Sequence, residues 1–249
     1  KIQGWNTTTL QFFEAEMKPF VDLRTPTGLS SSKPPMNSWE ELHIQDIFDH
    51  EIKFPLQIEH KIEVPNKYLY RILLATLQHL RNANDLAKAL NTEYYFIIPT
   101  CYAISEEDAY NLQEHSAFYF FLEKFESLVE FSPLQAKALS LNLTCEHSIY
   151  FTKLALFSHG YSSLFSSNEA ISYLLSLEQE HFWDDNYKLD ILKLLQKRWP
   201  DLQEPHKEKL AKRILEGPPK SHYETDGERE YFKYRPICTF IQWLKSKGL

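Results

Sequence analysis

Between Thr144 and Pro219 the sequence is divided into short helix-forming stretches by residues that start or stop helices. Ser166 and Glu169 have the spacing of a capping box. Asp184 or Asp185 is the next N-cap candidate, and Pro200 ends the helix that follows. Helix starts recur about every twenty residues, as in the helix pairs of an α-solenoid. The pattern predicts a mainly α fold of stacked, α-solenoid-like short helices.

Longer helices are predicted in the preceding part of the chain. Residues 67–90 carry leucine, isoleucine and alanine at steps of three and four, so one stripe faces a core. Ser105 with Asp108 begins a second long helix, whose apolar period continues to Val129. The six glycines and three valines argue against a parallel sheet, whose buried strands are rich in valine and isoleucine. Helix is therefore the expected state of most of the chain.

Residues 52–64 break this pattern, because apolar and polar side chains alternate there. A period of two predicts an amphipathic strand, and residues 94–98 are its expected partner in a small β-ribbon. Pro55 would confine the strand to an edge or interrupt it. An extended arm without a partner is the alternative.

Three regions follow from these patterns. Residues 1–35 are expected to form a helix and a linker that ends in a run rich in serine and proline. Residues 36–143 form a helical subdomain with the small β element. Residues 144–249 form the helical-repeat-like subdomain, which includes a polar segment over 221–230 and an aromatic helical segment over 231–243.

Charge is distributed unevenly around the net value of −7. Residues 1–187 contain 13 Lys and Arg against 25 Asp and Glu, whereas residues 188–249 contain 14 against 9. An acidic and a basic surface that attract each other or a neighbouring domain explain this balance. A nucleic-acid-binding role for the basic C-terminal part is an alternative, although the sequence has no dense Lys/Arg run and no recognisable binding motif.

The cysteines and the apolar runs indicate the cellular setting. Cys101, Cys145 and Cys238 are far apart, so neither a disulfide framework nor a zinc cluster is indicated. A reducing, cytoplasmic location fits this pattern. The sequence has no apolar run long enough for a membrane span and opens without the apolar core of a signal peptide. We expect a segment of a longer protein.

Two clusters could carry chemistry. The spacing of His43, Asp46 and His50 would place them on one face of a helix, where they could bind a metal ion. The simpler interpretation is a polar helix face exposed to solvent. Glu178, Glu180, His181, Asp184 and Asp185 form the densest group of carboxylates and imidazole. A hydrolase could use two of Glu180, His181 and Asp184 as its general acid and general base. Helix capping explains the positions of the acidic residues without any substrate.

The sequence contains no phosphate-binding glycine loop, no nucleophile elbow and no His-Glu-x-x-His motif. The segment is therefore predicted to be non-catalytic, and no cofactor or metal is expected.

The apolar helical segments and the residues that end them, between Glu146 and Pro219, resemble those of a known group of proteins. They include Lys153–His159, Leu174–Leu177, Phe182-Trp183, Leu192–Pro200 and Arg213–Pro219. In these segments the chain resembles the helical region of large bacterial antiviral defence proteins that carry a sirtuin-like or other effector domain elsewhere. The resemblance implies a sensor or assembly module that controls an NAD-consuming effector. No effector residue has a match here.

The resulting expectation is a scaffold or sensor that acts through protein–protein contacts. Its expected partners are other domains of the same protein, a phage protein that acts as the trigger, or further copies of itself. Neither nucleic acid nor a membrane is an expected partner. The expected contact surfaces are exposed helix faces and the loops over 162–167 and 221–230, near Tyr161, Tyr223 and Tyr231.

Overall fold

The computed structural model of the chain describes residues 4–24, 38, 48–54, 62–90, 100–102, 116–146, 148–223 and 225–247. Contacts divide the chain into two compact units. The first comprises Lys1–Ile97 and Ser105–Leu128, and the second comprises Ile98–Ile104 and Val129–Leu249. The predicted mainly α class with packed short helices and a small β element is confirmed. The three-region division stays a prediction.

The first unit contains two helices whose starts and faces follow from the sequence. Helix α1 (Thr7–Glu16) begins with a reciprocal capping box in which Asn6 and Thr9 exchange backbone-to-side-chain hydrogen bonds. Helix α2 (Asn66–Ala89) confirms the helix predicted for residues 67–90. Its buried stripe consists of Leu69, Ile72, Leu73, Thr76, Leu77, Leu80, Ala83 and Ala87.

Helix α1 packs on α2 through one apolar face and one ion pair. Leu10, Phe13 and Met17 are almost fully buried. The Glu14 carboxylate accepts two hydrogen bonds from the Arg71 guanidinium, at 2.9 and 3.2 Å. Helix α3 (Ser116–Phe131) adds Phe120, whose ring centroid lies 5.4 Å from that of Phe13.

The sheet pairs β1 (Phe20–Arg24) with β2 (Asp49–Lys53) in antiparallel register, with Phe20 opposite Lys53. The predicted strand over 52–64 therefore begins earlier and ends at Lys53, and residues 62–64 are irregular. Its partner is β1, whereas the predicted partner, 94–98, lies outside the described residues. Cross-strand charges explain part of this pairing, since Lys53 lies 2.7 Å from Asp22 and Arg24 lies 2.5 Å from Glu51.

The second unit is built almost entirely of short helices. They are α4 (Pro133–Leu143), α5 (Ile149–His159), α6 (Ser167–Ser176), α7 (Gln179–Trp183), α8 (Asp185–Arg198), α9 (Glu204–Glu216), α10 (Asp226–Phe232) and α11 (Tyr234–Ser246), with 3₁₀ turns at Trp199–Asp201 and Lys220–His222. The predicted start at Pro133, the caps at Ser166 and Asp184 and the stop at Pro200 are confirmed.

Helix α5 is the centre of this unit, because every residue from Tyr150 to His159 is buried. It packs against α4, α6 and α8. Helix α8 also contacts α7 and α11, and α9 contacts α6 and α11. The core between them is formed by apolar side chains that include Ile171, Leu174, Phe182, Ile191, Leu195, Leu210, Ile237 and Phe240. The first and last helices of the unit are thus joined through α5 and α8.

Gly217 ends α9 with a φ of 73°, as predicted for a glycine at this helix end. Its ψ of −175° extends the chain instead of completing a left-handed turn. A Cβ at this position would lie 3.0 Å from Ile237 Cδ1. The backbone angle therefore favours glycine, and a Cβ at this position would also press on the Ile237 side chain of α11.

Candidate functional site

The acidic side chains predicted to cluster near α7 make separate contacts instead of forming one site. Asp184 caps α8, since its Oδ1 accepts a hydrogen bond from the Asn186 N–H at 2.8 Å, and this confirms the capping interpretation. Asp185 is 90% exposed and forms an ion pair with Lys188 at 3.2 Å. Glu178 occupies the N-cap position of α7, but its side chain makes no capping hydrogen bond. Capping therefore accounts for Asp184 without a substrate.

Glu180 and His181 point to different neighbours. Glu180 Oε1 accepts a hydrogen bond from the Ser221 hydroxyl at 3.3 Å. The His181 ring contacts Tyr187 edge-on, with centroids 5.7 Å apart. No hydrogen bond or ion pair among the described residues joins Glu180, His181 and Asp184 to one another. The hydrolase alternative stays a prediction and gains no support from this geometry.

The metal alternative falls largely outside the described residues, which do not include His43 and Asp46. His50 is described and lies on β2, opposite Leu23, instead of continuing the predicted helix. The helical spacing that would have aligned it with the other two ligands therefore does not apply to His50, because side chains on a strand alternate between faces. Within the described part of the chain, no group of three or more His, Cys, Asp or Glu side chains could hold a metal ion.

A buried ion pair that the sequence did not predict lies in the second unit. Lys153 Nζ of α5 lies 2.8 Å from Asp190 Oδ2 of α8, and it also donates to the Asn186 carbonyl. Asp190 Oδ1 accepts from the Thr100 hydroxyl at 2.7 Å and from the Cys101 N–H at 2.8 Å. The available signal was Lys153, a single charge in the apolar run from Tyr150 to Phe157. Both charges have several partners, which is the pattern of a structural ion pair.

The buried thiol beside this pair is not activated. Burial raises the pKa of the Cys101 thiol well above its usual range, and the negative charge of Asp190 raises it further. Cys101 Sγ donates to the Lys153 carbonyl at 3.6 Å. The thiolate form that a nucleophile needs is therefore disfavoured here.

A second buried polar group is an imidazole between two aromatic rings. The His159 ring stacks on Phe165 at 4.1 Å and on Tyr173 at 4.4 Å, and its Nδ1–H donates to the Ala155 carbonyl at 2.7 Å. Burial lowers the pKa of His159 to about 4. His159 is therefore neutral at pH 7 and acts as a core aromatic side chain.

Arg213 binds the C-terminal end of α6. It has no carboxylate partner among the described residues. Its guanidinium donates to the carbonyls of Leu175, Leu177 and Glu178, and it lies over the Phe182 ring at 4.6 Å. Burial lowers the pKa of Arg213. A cation at this position complements the negative end of the helix dipole. Lys209 and Lys212 lie beside it, around a shallow depression of about 400 Å³.

A groove near the end of the chain combines exposed aromatic rings with cations. It has a volume of about 510 Å³. Its walls come from α7, α8, the turn after α9, α10 and α11, and they consist of Trp183, Asp185, Lys188, Pro218, His222, Tyr223, Phe232, Arg235, Pro236 and Thr239. A contact surface is predicted over 221–230, and His222 and Tyr223 of that range line the groove. The other wall residues come from sequence positions that no local pattern brings together.

Aromatic side chains are exposed next to this groove. Tyr231 is 78% exposed, Phe232 46% and Tyr234 58%. The Tyr231 ring contacts the Phe232 ring edge-on, with centroids 4.8 Å apart. Large aromatic side chains are enriched at protein interfaces, where they bury much apolar area with few rotatable bonds. The arrangement is suited to binding a partner.

No protein-family model matches the chain, and no curated protein or solved structure shows significant similarity to it. Among the described helices, none is both long enough and apolar enough to cross a lipid bilayer.

Proposed function

We propose that the chain is a non-catalytic helical scaffold or sensor module that acts through protein–protein contacts. The observation that carries the proposal is the set of exposed aromatic side chains Tyr231, Phe232 and Tyr234, of which Phe232 lines the groove of α7, α8, α10 and α11. Exposed apolar side chains grouped beside a cleft are typical of interaction sites. We name this surface, made of these three side chains and the groove walls, the aromatic groove.

The buried polar groups of the second unit support the same proposal. Lys153 and Asp190 satisfy each other and hold the 100–102 segment, and His159 is neutral within a ring stack. These groups stabilise the fold and are not arranged around an accessible reaction centre. The proposed activity is therefore binding.

The resemblance to antiviral defence proteins extends the proposal to a biological setting. In that setting the module would bind a phage component, or mediate assembly, and thereby control an NAD-consuming effector domain. The aromatic groove is the proposed contact surface for this step.

Site-specific crosslinking in cells tests the contact. The photoreactive residue p-benzoylphenylalanine replaces Tyr231 or Tyr234, and a control chain carries it at Leu134, which is 85% exposed on α4. We expect a defined protein crosslinked at 231 and 234 but not at 134. The purified partner should then bind the Tyr231→Ala/Tyr234→Ala variant at least about tenfold more weakly than the wild type, a loss of about 1.4 kcal/mol.

An equal crosslinking pattern at all three positions, or an unchanged dissociation constant in the double variant, would contradict the contact proposal. Phage plating and cellular NAD content test the defence setting in bacteria that express the complete gene. We expect the double variant to lose protection at an unchanged protein level, whereas Leu134→Ala keeps it. Absence of protection by the wild-type gene would remove the defence setting and leave the contact proposal standing.

A further inference from the structure

We infer that the aromatic groove binds an acidic segment of a partner polypeptide, one that presents a carboxylate next to an apolar or aromatic side chain. This inference rests on the proposed function and specifies the chemistry of the partner. It is drawn from three properties of the groove: unpartnered donors, a surplus of positive charge and aromatic walls.

The first property is a set of donors without acceptors. Arg235 is exposed on the groove wall and forms no ion pair with any residue that the structure describes. A guanidinium group donates hydrogen bonds and does not accept them. A ligand that satisfies Arg235 must therefore bring acceptor oxygens.

The second property is charge. Lys188 and Arg235 line the groove together with a single acid, Asp185. The Asp185–Lys188 ion pair contributes little to stability, because the Asp185 side chain is 90% exposed. A carboxylate of a bound segment can therefore replace Asp185 as the partner of Lys188 while another carboxylate approaches Arg235. Residues 188–249, which supply most of the groove walls, carry five more basic than acidic residues in total.

The third property separates a peptide from a nucleic acid. Nucleic-acid binding depends on several phosphate contacts from Lys and Arg. The groove supplies two such side chains and also an acid. Its remaining walls include Trp183, Tyr223, Phe232 and two prolines, Pro218 and Pro236, which suit a buried apolar side chain. An acidic polypeptide with an apolar anchor matches both parts of the groove.

A displayed library of short random peptides, selected on the full chain, tests the inference. We expect the selected peptides to be enriched in Asp and Glu near an aromatic or aliphatic residue. Synthetic versions should bind the Arg235→Ala variant at least about tenfold more weakly, as expected for loss of a charge-assisted hydrogen bond.

The matched control is Lys212→Ala, which removes an exposed cation outside the groove and should leave peptide affinity unchanged. Replacing the acids of a selected peptide by their amides should weaken binding as much as Arg235→Ala does. Circular dichroism of each variant confirms folding, and Arg235→Lys tests the charge separately from the geometry of the guanidinium.

Selected peptides that are neutral or basic, or that bind Arg235→Ala as tightly as the wild type, would overturn the inference. Neutral peptides whose binding is lost in Tyr231→Ala/Tyr234→Ala would overturn only the acidic specification and leave the proposed contact function intact. An oligothymidylate that binds at physiological salt, and whose binding is lost in Arg235→Ala, would overturn it in favour of nucleic acid.

Discussion

Asp190 Oδ2 accepts a hydrogen bond from the Lys153 ammonium at 2.8 Å, and both side chains are at most 2% exposed. The pair joins α5 to α8 at the centre of the second unit. A buried charge that loses its partner remains desolvated without compensation, so each half of the pair depends on the other.

Lys153→Met tests that dependence, because it leaves the Asp190 carboxylate buried without its cation. We expect the free energy of unfolding to fall by about 3–5 kcal/mol in urea denaturation. The matched control is Lys137→Met, which breaks the exposed Lys137–Glu169 pair and should cost less than about 1 kcal/mol. A loss of similar size in both variants would contradict a structural role for the buried pair.

Stability should depend on pH through His159. An unfolded imidazole has a pKa near 6.5, whereas burial lowers the pKa of His159 to about 4 in the folded chain. As pH falls below 6.5 the unfolded chain binds a proton first, so the free energy of unfolding decreases until about pH 4 and is fully retained above 6.5. The loss should reach about 3 kcal/mol.

The His159→Phe variant checks this effect, since it keeps a ring between Phe165 and Tyr173 but cannot titrate. Urea denaturation at several pH values between 7 and 4 should give a shallower pH dependence than in the wild type. The exposed His222, replaced by Gln, provides the control and should retain the wild-type slope. Equal slopes in all three proteins would show that His159 does not govern acid stability.

The end of α9 should tolerate only glycine. Gly217→Ala would adopt a φ of 73° and place Cβ 3.0 Å from Ile237 Cδ1. We expect a loss of about 1–3 kcal/mol, measured by thermal denaturation. Gly227→Ala is the comparison, because its nearest neighbour lies 4.0 Å from the added Cβ, and it should raise stability by roughly 0.5 kcal/mol. An unaffected Gly217→Ala variant would contradict the packing described for this corner.

The three thiols should differ in reactivity. Cys145 and Cys238 are exposed, whereas Cys101 is buried with a raised pKa. Ellman's reagent should label the two exposed thiols rapidly and Cys101 only after the chain unfolds. The Cys145→Ser variant should lose one equivalent of rapid labelling. Loss of a rapid equivalent in Cys101→Ser would show that the 100–102 segment opens in the native state.

Local signals predicted the helices well, because caps, breakers and apolar periods act over a few residues. Ser166, Asp184 and Pro200 illustrate this, since each is confirmed where the sequence placed it. The pairing of β1 with β2 was not predictable in the same way. It joins Phe20 to Lys53, which lie far apart in the sequence, and alternation in one strand carries no information about its partner.

The sites show the same limit. Asp184 could be assigned as a cap, because capping is local. The approach of Lys153 to Asp190, and of Trp183 to Arg235 around one groove, depends on how helices pack. A lone charge in an apolar run, such as Lys153 between Tyr150 and Phe157, was the one available signal for the buried pair.

The two donors to Asp190 Oδ1 have a practical consequence for dissecting the protein. Thr100 and Cys101 belong to the second unit, although residues 105–128 between them and α4 belong to the first. An expression fragment that begins at Val129 would lack both donors, and Oδ1 of the buried Asp190 carboxylate would lose these two hydrogen bonds. A fragment that starts before residue 98, or a covalent fusion that restores 98–104, is required to obtain this unit in its native form.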